Sequence, residues 1–491
     1  MGTSAHGVSV RINDEEMRAK AERRDTRILL WLIVALGAFL RLRGLQAKSF
    51  WLDEIASVVI ARMPGNSFWH WLWTNEGNMA LYYVMLRPWL EIHLGEATIR
   101  LLSVIPGIVS IPVTYLLGRR LFGRRTGLLA ALLLTVSTCA VVYSQEARGY
   151  SWLVLGTIVS TYFFVRLIAR PTCPMAISYS LAVGVTFYVH YFGLLVPLAH
   201  AASVFALPKG RRPWKQLWLA AVVIAVFAAP VLWMIHIQPG RHLDWLQRPS
   251  LLEFYHLGVF LAAGSGKAVG PVLLLVELAL VVIFSQQMMA ARQSKDGDFF
   301  PYALVSSSLV TPIAVSLLAS LFRPVFFHRF LIICLPAWLL AVAVGALALT
   351  KARRKLAAVV GLFTLSLVST GLSYSRMPED WRGVANYLID NASAQDAVVY
   401  YRGVGRFAAE SYRDWLPGGG SNRPMPVEVG ESGPNWRDRI EGVRRVWLVE
   451  YPSNVNDDTS RTVEAELHGR YSAVAVVPFR AITITEFVQQ P

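Results

Sequence analysis

The sequence predicts an all-α polytopic membrane protein with a small α/β domain outside the membrane at its C-terminal end. Three observations predict it. Of 491 residues, 54% are hydrophobic and only 16% charged, against about 25% charged in a soluble domain. Apolar runs recur from Ile28 to Tyr374, each long enough to cross about 30 Å of hydrocarbon. After Tyr374 the composition turns polar. Hydrocarbon offers the backbone no hydrogen-bond partner, so such runs must cross as helices.

Eleven runs read as spans: 28–44, 98–117, 126–143, 151–169, 174–189, 191–207, 215–235, 268–287, 299–321, 328–349 and 356–374. Loop charge orients them. Arg119, Arg120, Arg124 and Arg125 follow the second, Arg166 and Arg170 the fourth, and Lys209, Arg211, Arg212 and Lys215 the sixth. Arg292 and Lys295 follow the eighth, and Lys351, Arg353, Arg354 and Lys355 the tenth. These loops share a side with the N-terminal tail 1–27, which ends in Arg23-Arg24-Asp25-Thr26-Arg27. The positive-inside rule makes that side cytoplasmic and puts the C-terminus outside. The tail lacks a small-residue cleavage site and reads as a cytoplasmic segment, not a removed signal peptide. Leu251–Ala263 is apolar but short, and reads as interfacial or re-entrant.

The net charge of +15 is explained by these loops and does not indicate nucleic acid. Cys139, Cys173 and Cys334 lie in or beside spans with no CxxC or Cys/His pattern, which excludes a disulfide framework or structural zinc site. Gly264-Ser265-Gly266-Lys267 lacks the spacing of a phosphate-binding loop.

The first outer loop, 45–97, holds Ile55–Met63, Phe68–Trp73 and Met79–Trp89, too short to span and rich in Trp and Tyr. They read as helices lying in the membrane surface. A second outer loop, 236–252, holds His236, Arg241, His242, Asp244, Trp245 and Arg248. The region 376–491 carries strand-like runs at 446–449 and 473–477, helix-like runs at 380–391 and 404–415, and loop chemistry at Pro417-Gly418-Gly419-Gly420.

Four clusters can carry chemistry. Asp53 and Glu54 follow Phe50-Trp51-Leu52 just past the first span. One such carboxylate can serve as a general base, or the pair can simply cap a helix. Glu146 and Arg148 lie in the short turn Ser144-Gln145-Glu146-Ala147-Arg148-Gly149-Tyr150. Arginine's planar fork suits phosphate; a local ion pair is the bland alternative. His190, flanked by Tyr191, forms another outer turn, as a ligand contact or a structural hydrogen bonder. His328 and Arg329 open the tenth span, to hold a lipid phosphate or to anchor at the interface. Asp53, Glu54 and Glu146 have the donor chemistry for a divalent cation, but no ligand spacing demands one.

Trp51-Leu52-Asp53-Glu54, Asn78-Met79-Ala80-Leu81-Tyr82-Tyr83, Ser144 to Tyr150 and His328-Arg329-Phe330-Leu331, in this order, resemble the family 39 type of bacterial membrane glycosyltransferases. These are relatives of the protein O-mannosyltransferases and the lipid A aminoarabinose transferase, with the GT-C fold. The resemblance covers about Arg27 to Arg382. It implies a sugar donor on a polyprenyl phosphate, mannose-like or another hexosyl or pentosyl group. It implies inverting transfer on the non-cytoplasmic face of a cell membrane to a lipid, glycan or protein acceptor. Asp53, with Glu54 beside it, matches the family's acid, and Glu146 and Arg148 match the motif near donor phosphate and acceptor. Asn78, Tyr82, Tyr150, His190, Tyr191, His328 and Arg329 complete the expected substrate-binding set. One departure stands out: many members carry His-Pro-Pro-Leu-Tyr-Tyr where this chain has Asn78 to Tyr83, so a histidine's role does not transfer to Asn78. A flippase for a lipid-linked sugar and a non-catalytic envelope assembly protein are the competing classes.

Overall fold

Each apolar run forms a helix, as the hydrocarbon argument requires. The computed structural model describes residues 4–92, 95–238, 246–264, 266, 268–294, 298–376, 379–400, 403–416, 420, 423–429, 435–451 and 458–490. In chain order the helices are α1 (Ser4–Leu42), α2 (Leu52–Arg62), α3 (Gly65–Thr74), α4 (Ala80–Ile92), α5 (Glu96–Phe122), α6 (Arg124–Val136), α7 (Thr138–Ser144), α8 (Tyr150–Ala169) and α9 (Cys173–Val189). Next come α10 (Leu195–Val204), α11 (Trp214–Ile237), α12 (Leu251–Ala263), α13 (Gly270–Gln293), α14 (Phe300–Ser320), α15 (Leu335–Ala348) and α16 (Ala352–Ser373). Single 3-10 turns, Tyr191–Leu194 and Phe330–Cys334, lead into α10 and α15.

All eleven expected spans fall largely on helical segments; 126–143 is broken inside, and 191–207 and 328–349 begin at the 3-10 turns. The run 126–143 is two helices, α6 and α7, bent by 56°. Ser137 starts the second by accepting the Ala140 N–H at 3.3 Å. The freed carbonyls find partners inside the protein. The buried Arg41 guanidinium donates to Leu134 O at 3.1 Å and Thr135 O at 3.2 Å, and the Thr370 hydroxyl donates to Val136 O at 2.9 Å. Broken backbone at membrane depth is tolerated only with such internal partners. Among the described residues seven helices are long and apolar enough to cross alone, eight with the bent pair, while 173–189, 191–204 and 251–263 are shorter. The short helix α12 ends at Gly264, whose φ of +54° and close approach to the backbone of Thr138 and Cys139 both require glycine.

The C-terminal region is α/β. It comprises α17 (Trp381–Asn391), β1 (Ala397–Tyr400), α18 (Gly403–Trp415), β2 (Met425–Glu428), α19 (Trp436–Arg439), β3 (Arg445–Glu450), α20 (Asp458–His468), β4 (Tyr471–Phe479) and β5 (Ile482–Gln489). The sheet order is β2-β1-β3-β5-β4. β1 runs parallel to β2 and β3, whereas β5 runs antiparallel to β3 and β4. β1 is buried along its whole length, as expected of a central parallel strand with both faces covered. Val399, Val427, Trp436, Leu448 and Phe487 share its core. Both expected strands and both expected helices are present; Pro417-Gly418-Gly419 lies outside the described residues.

The chain divides into two compact units. The helical unit comprises 1–43, 69–85 and 100–373; the other joins 44–68 and 86–99 of the first loop to 374–491. The three loop segments expected as short helices are α2, α3 and α4.

Candidate active site

In the helical unit the turn between α7 and α8 is built to present Arg148. Arg148 N–H donates to Glu146 O at 2.8 Å, which closes the turn tightly. Ser103 Oγ donates to Arg148 O at 2.9 Å, and Tyr82 Oη lies 3.3 Å from the same Ser103 hydroxyl. Tyr82 is thereby buried as a support behind the turn. Its neighbour Tyr83, which sequence reasoning passed over, reaches the guanidinium: Arg148 Nη1 donates to Tyr83 Oη at 3.3 Å. Gly149 lets the turn press on α9, where a Cβ would stand 3.2 Å from both the Val189 carbonyl oxygen and its side chain.

His190 occupies the facing turn after α9. Its Nδ1 accepts the Phe192 N–H at 3.2 Å, and its Nε2 lies 3.3 Å from Asn78 Nδ2. Asn78 Oδ1 accepts the Tyr191 N–H at 3.0 Å, so Asn78 latches the first loop onto the His190 turn. Burial, and then the Arg148 guanidinium, push the His190 imidazole down to about 3, so the ring is neutral at physiological pH.

His190, Asn78 and Tyr191 line a cavity of about 280 Å³ together with Gln238, Arg323 and Phe330. No motif or spacing in the sequence singles out Gln238 or Arg323. Arg323 follows α14 just ahead of Arg329, and Gln238 follows the last turn of α11; position at a helix end was the available signal. Gln238 is fixed by donating to Leu72 O at 3.0 Å and accepting from Tyr191 Oη at 3.2 Å. A second, apolar cavity of about 550 Å³ runs along α9, α10 and α11. The two share Leu194 in their walls.

The remaining candidates of this unit gather around an aromatic row. Tyr143 packs on Tyr150 at 5.0 Å, Tyr150 on His190 at 5.7 Å, and His190 on Phe330 at 5.3 Å. Glu146 and Arg329 both lie within electrostatic reach of the Tyr143 phenol. Arg329 stands 5.6 Å from the Phe327 ring. His328 packs on Phe260 at 5.1 Å and lies 4.0 Å from Glu253.

Asp53 and Glu54 belong to the second unit, at the start of α2, and the structure gives them different surroundings. Glu54 is buried, and its Oε2 accepts the Trp51 N–H at 3.3 Å; it satisfies an orphan donor of the helix start. Asp53 is half-exposed. Tyr451 lies near it: burial, then the carboxylates of Glu379 and Asp53, push the Tyr451 phenol above its ordinary value. Among the described residues no three His, Cys, Asp or Glu side chains group as a metal site. Arg241, His242, Asp244 and Trp245 lie outside the described residues.

Comparison with known proteins identifies the fold. The family model described as dolichyl-phosphate-mannose-protein mannosyltransferase matches residues 81–234. The crystal structure of ArnT from Cupriavidus metallidurans bound to undecaprenyl phosphate matches with a TM-score of 0.60 at 14% identity, over 93% of this chain and 97% of that one. Archaeal oligosaccharyltransferase AglB from Archaeoglobus fulgidus, in complex with an inhibitory peptide and a dolichol-phosphate, matches with a TM-score of 0.53 at 10% identity, over 87% and 69%. Arabinofuranosyltransferase AftD from Mycobacteria matches with a TM-score of 0.50 at 13% identity, over 95% and 41%. No curated protein matches the sequence. The fold therefore defines the class: a polytopic membrane protein of the GT-C fold. The family model and these folds bear out the resemblance to membrane glycosyltransferases related to protein O-mannosyltransferases and ArnT.

Proposed function

We propose that this chain is an integral membrane glycosyltransferase. It moves a hexosyl or pentosyl group from a polyprenyl-phosphate donor to an acceptor on the non-cytoplasmic face, with inversion. The observation that carries the reading is the pair of adjoining cavities in a GT-C helical unit. One is walled in part by His190, Asn78 and Arg323, the other lined mainly by aliphatic and aromatic side chains. That is the shape of a phosphate-headed, hydrocarbon-tailed ligand. Two fold relatives, ArnT bound to undecaprenyl phosphate and AglB in complex with a dolichol-phosphate, support the same ligand class.

In this reading Arg148, within electrostatic reach of the cavity residue His190, and Arg329, which precedes the cavity residue Phe330, grip the donor phosphate from the edge of the cavity, through charge and a planar fork. The phosphate leaves as an anion and needs no protonation, so one carboxylate suffices for the acceptor. Asp53, half-exposed at the start of α2, takes the acceptor proton as general base. Glu146 stabilises the cationic sugar centre as the phosphate departs. The basic loops orient the chain with the N-terminus cytoplasmic and the α/β region outside. Transport is the weaker reading. The buried carboxylate of α13, Glu277, is bonded to Trp338 and lines neither cavity.

The test is turnover by the purified protein in detergent of radiolabelled undecaprenyl-phosphate mannose, glucose, galactose, arabinose and aminoarabinose. Consumption of one donor with release of undecaprenyl phosphate is expected. Protein that consumes none and binds no undecaprenyl phosphate refutes the proposal.

A further inference from the structure

The peptide that leads into Asp53 is held by side chains more than 300 residues away in sequence, all within the second unit. Glu379, itself buried, is the centre of one clasp. Its Oε2 accepts the Leu52 N–H at 3.0 Å and the Trp381 indole N–H at 2.5 Å. Its Oε1 accepts the Tyr451 hydroxyl at 2.7 Å. Leu52 is the first residue of α2, so its N–H has no partner within the helix. An anion there also meets the positive end of the helix.

Tyr412 is the centre of a second clasp, two residues further back. Its hydroxyl oxygen accepts the Phe50 N–H and, at 3.3 Å, the Ser49 hydroxyl, and its proton goes to Glu96. Glu96 is paired in turn with Arg382 at 2.7 Å. The Arg382 N–H donates to Ser49 Oγ at 3.1 Å, which closes the ring. Phe50 is buried against the rings of Tyr412 and Trp415 at 6.1 and 6.3 Å. Four consecutive residues, Ser49 to Leu52, are thus tied by backbone or hydroxyl, two of them by single side chains of the α/β region and one by Glu54 of α2 itself. Asp53 is the next residue and is half-exposed. Side chains that fix a loop backbone while leaving the adjacent carboxylate half-exposed are placed to orient that carboxylate.

We propose that Glu379 and Tyr412 are positioning residues for Asp53, which makes the C-terminal α/β region a working part of the glycosyltransferase. The proposal rests on Asp53 acting as the general base. It differs from simple support of the fold in its kinetic consequence. Loss of a clasp lets Asp53 wander, which lowers kcat, while the donor is gripped by residues of the helical unit and its KM holds. Misplacement of a reacting group by about 1 Å costs on the order of 100-fold in rate.

The experiment compares Glu379→Gln, Glu379→Ala, Tyr412→Phe and Asp53→Asn in the full-length protein. The probe is the radiolabelled undecaprenyl-phosphate sugar that the wild type consumes fastest in the panel above. Glu379→Ala and Tyr412→Phe are expected to lower kcat by roughly 10- to 100-fold with donor KM within twofold. Glu379→Gln, which keeps an acceptor for Leu52, recovers part of the rate. Adding Glu379→Ala to Asp53→Asn lowers kcat no further, because there is no base left to position. Hydrogen exchange at the amides of 50–56 is read in parallel and needs no substrate; both single-clasp variants are expected to speed it there more than in the helices of the helical unit. Wild-type kcat in Glu379→Ala and Tyr412→Phe, or unchanged exchange at 50–56, overturns the proposal. A fully active Asp53→Asn overturns the general-base reading instead, and the two failures are distinguishable.

Discussion

Arg148→Lys separates a phosphate grip from an interface anchor, because lysine keeps the charge and loses the fork. In the structure the guanidinium is held from behind. Nη1 donates to Tyr83 at 3.3 Å, and the backbone carbonyl of Arg148 is pinned by Ser103 at 2.9 Å. With one edge so fixed, the rest of the fork is oriented before the donor arrives. An ammonium group cannot hold Tyr83 and two phosphate oxygens in one plane, so at least one charged hydrogen bond is lost. Hydrogen bonds to charged groups contribute about 1.5–3 kcal/mol, and about 1.4 kcal/mol is a factor of ten. The expected effect is a rise of roughly 10- to 150-fold in donor KM. Membrane insertion, yield and melting temperature should stay near those of the wild type, since a long cationic side chain still anchors at the interface. Tyr83→Phe, which only releases the back edge of the fork, should raise donor KM less. The assay is the donor dependence of undecaprenyl-phosphate release in detergent. Wild-type donor KM in Arg148→Lys at equal folded protein would refute the grip and leave Arg148 a structural residue of its turn.

Four further outcomes are expected. Asp53→Asn should lower turnover by about 10²–10⁴. Glu54→Ala should instead lower the melting temperature, by the loss of a helix-start acceptor that contributes about 1 kcal/mol, and cost less in turnover; the reverse pattern in a kinetic and thermal comparison would exchange their roles. Burial, and then the Arg148 guanidinium, push the His190 imidazole down to about 3 in the folded chain, against near 6.5 for a free histidine, so the unfolded chain binds the extra proton. Its contribution to stability is present above pH 6.5 and is lost as pH falls towards 3, at up to about 1.4 kcal/mol per unit. His190→Gln should flatten thermal stability against pH in that window, and an unchanged slope would contradict the neutral, buried ring. A reporter active only outside the cytoplasm, fused after Pro491, should be active, whereas activity of a cytoplasm-only reporter there would reverse the proposed orientation.

The sequence by itself determined the helical membrane class and the polar region after Tyr374. Runs of apolar residues and the positions of arginines in loops are local properties, and the bilayer acts on them directly. It also picked out Asp53, Glu146, Arg148, His190 and Arg329, because ionisable residues beside apolar runs are conspicuous. It did not distinguish Asp53 from Glu54. That difference depends on which carboxylate turns back to the Trp51 N–H, and two adjacent acids look alike in one dimension. Nor did it find the break at Ser137, since Thr135, Ser137 and Thr138 are small hydroxyl residues that a membrane helix also accommodates; the bend exists because Arg41 of α1 and Thr370 of α16 satisfy the carbonyls it frees. Gln238 and Arg323 became cavity residues only when helix ends distant in sequence met. Glu379 and Tyr412 were invisible for the same reason. They lie 327 residues from Leu52 and 362 from Phe50, and no periodicity or spacing connects a hydrogen-bond acceptor to a backbone N–H across such a distance. The tertiary structure alone made that connection.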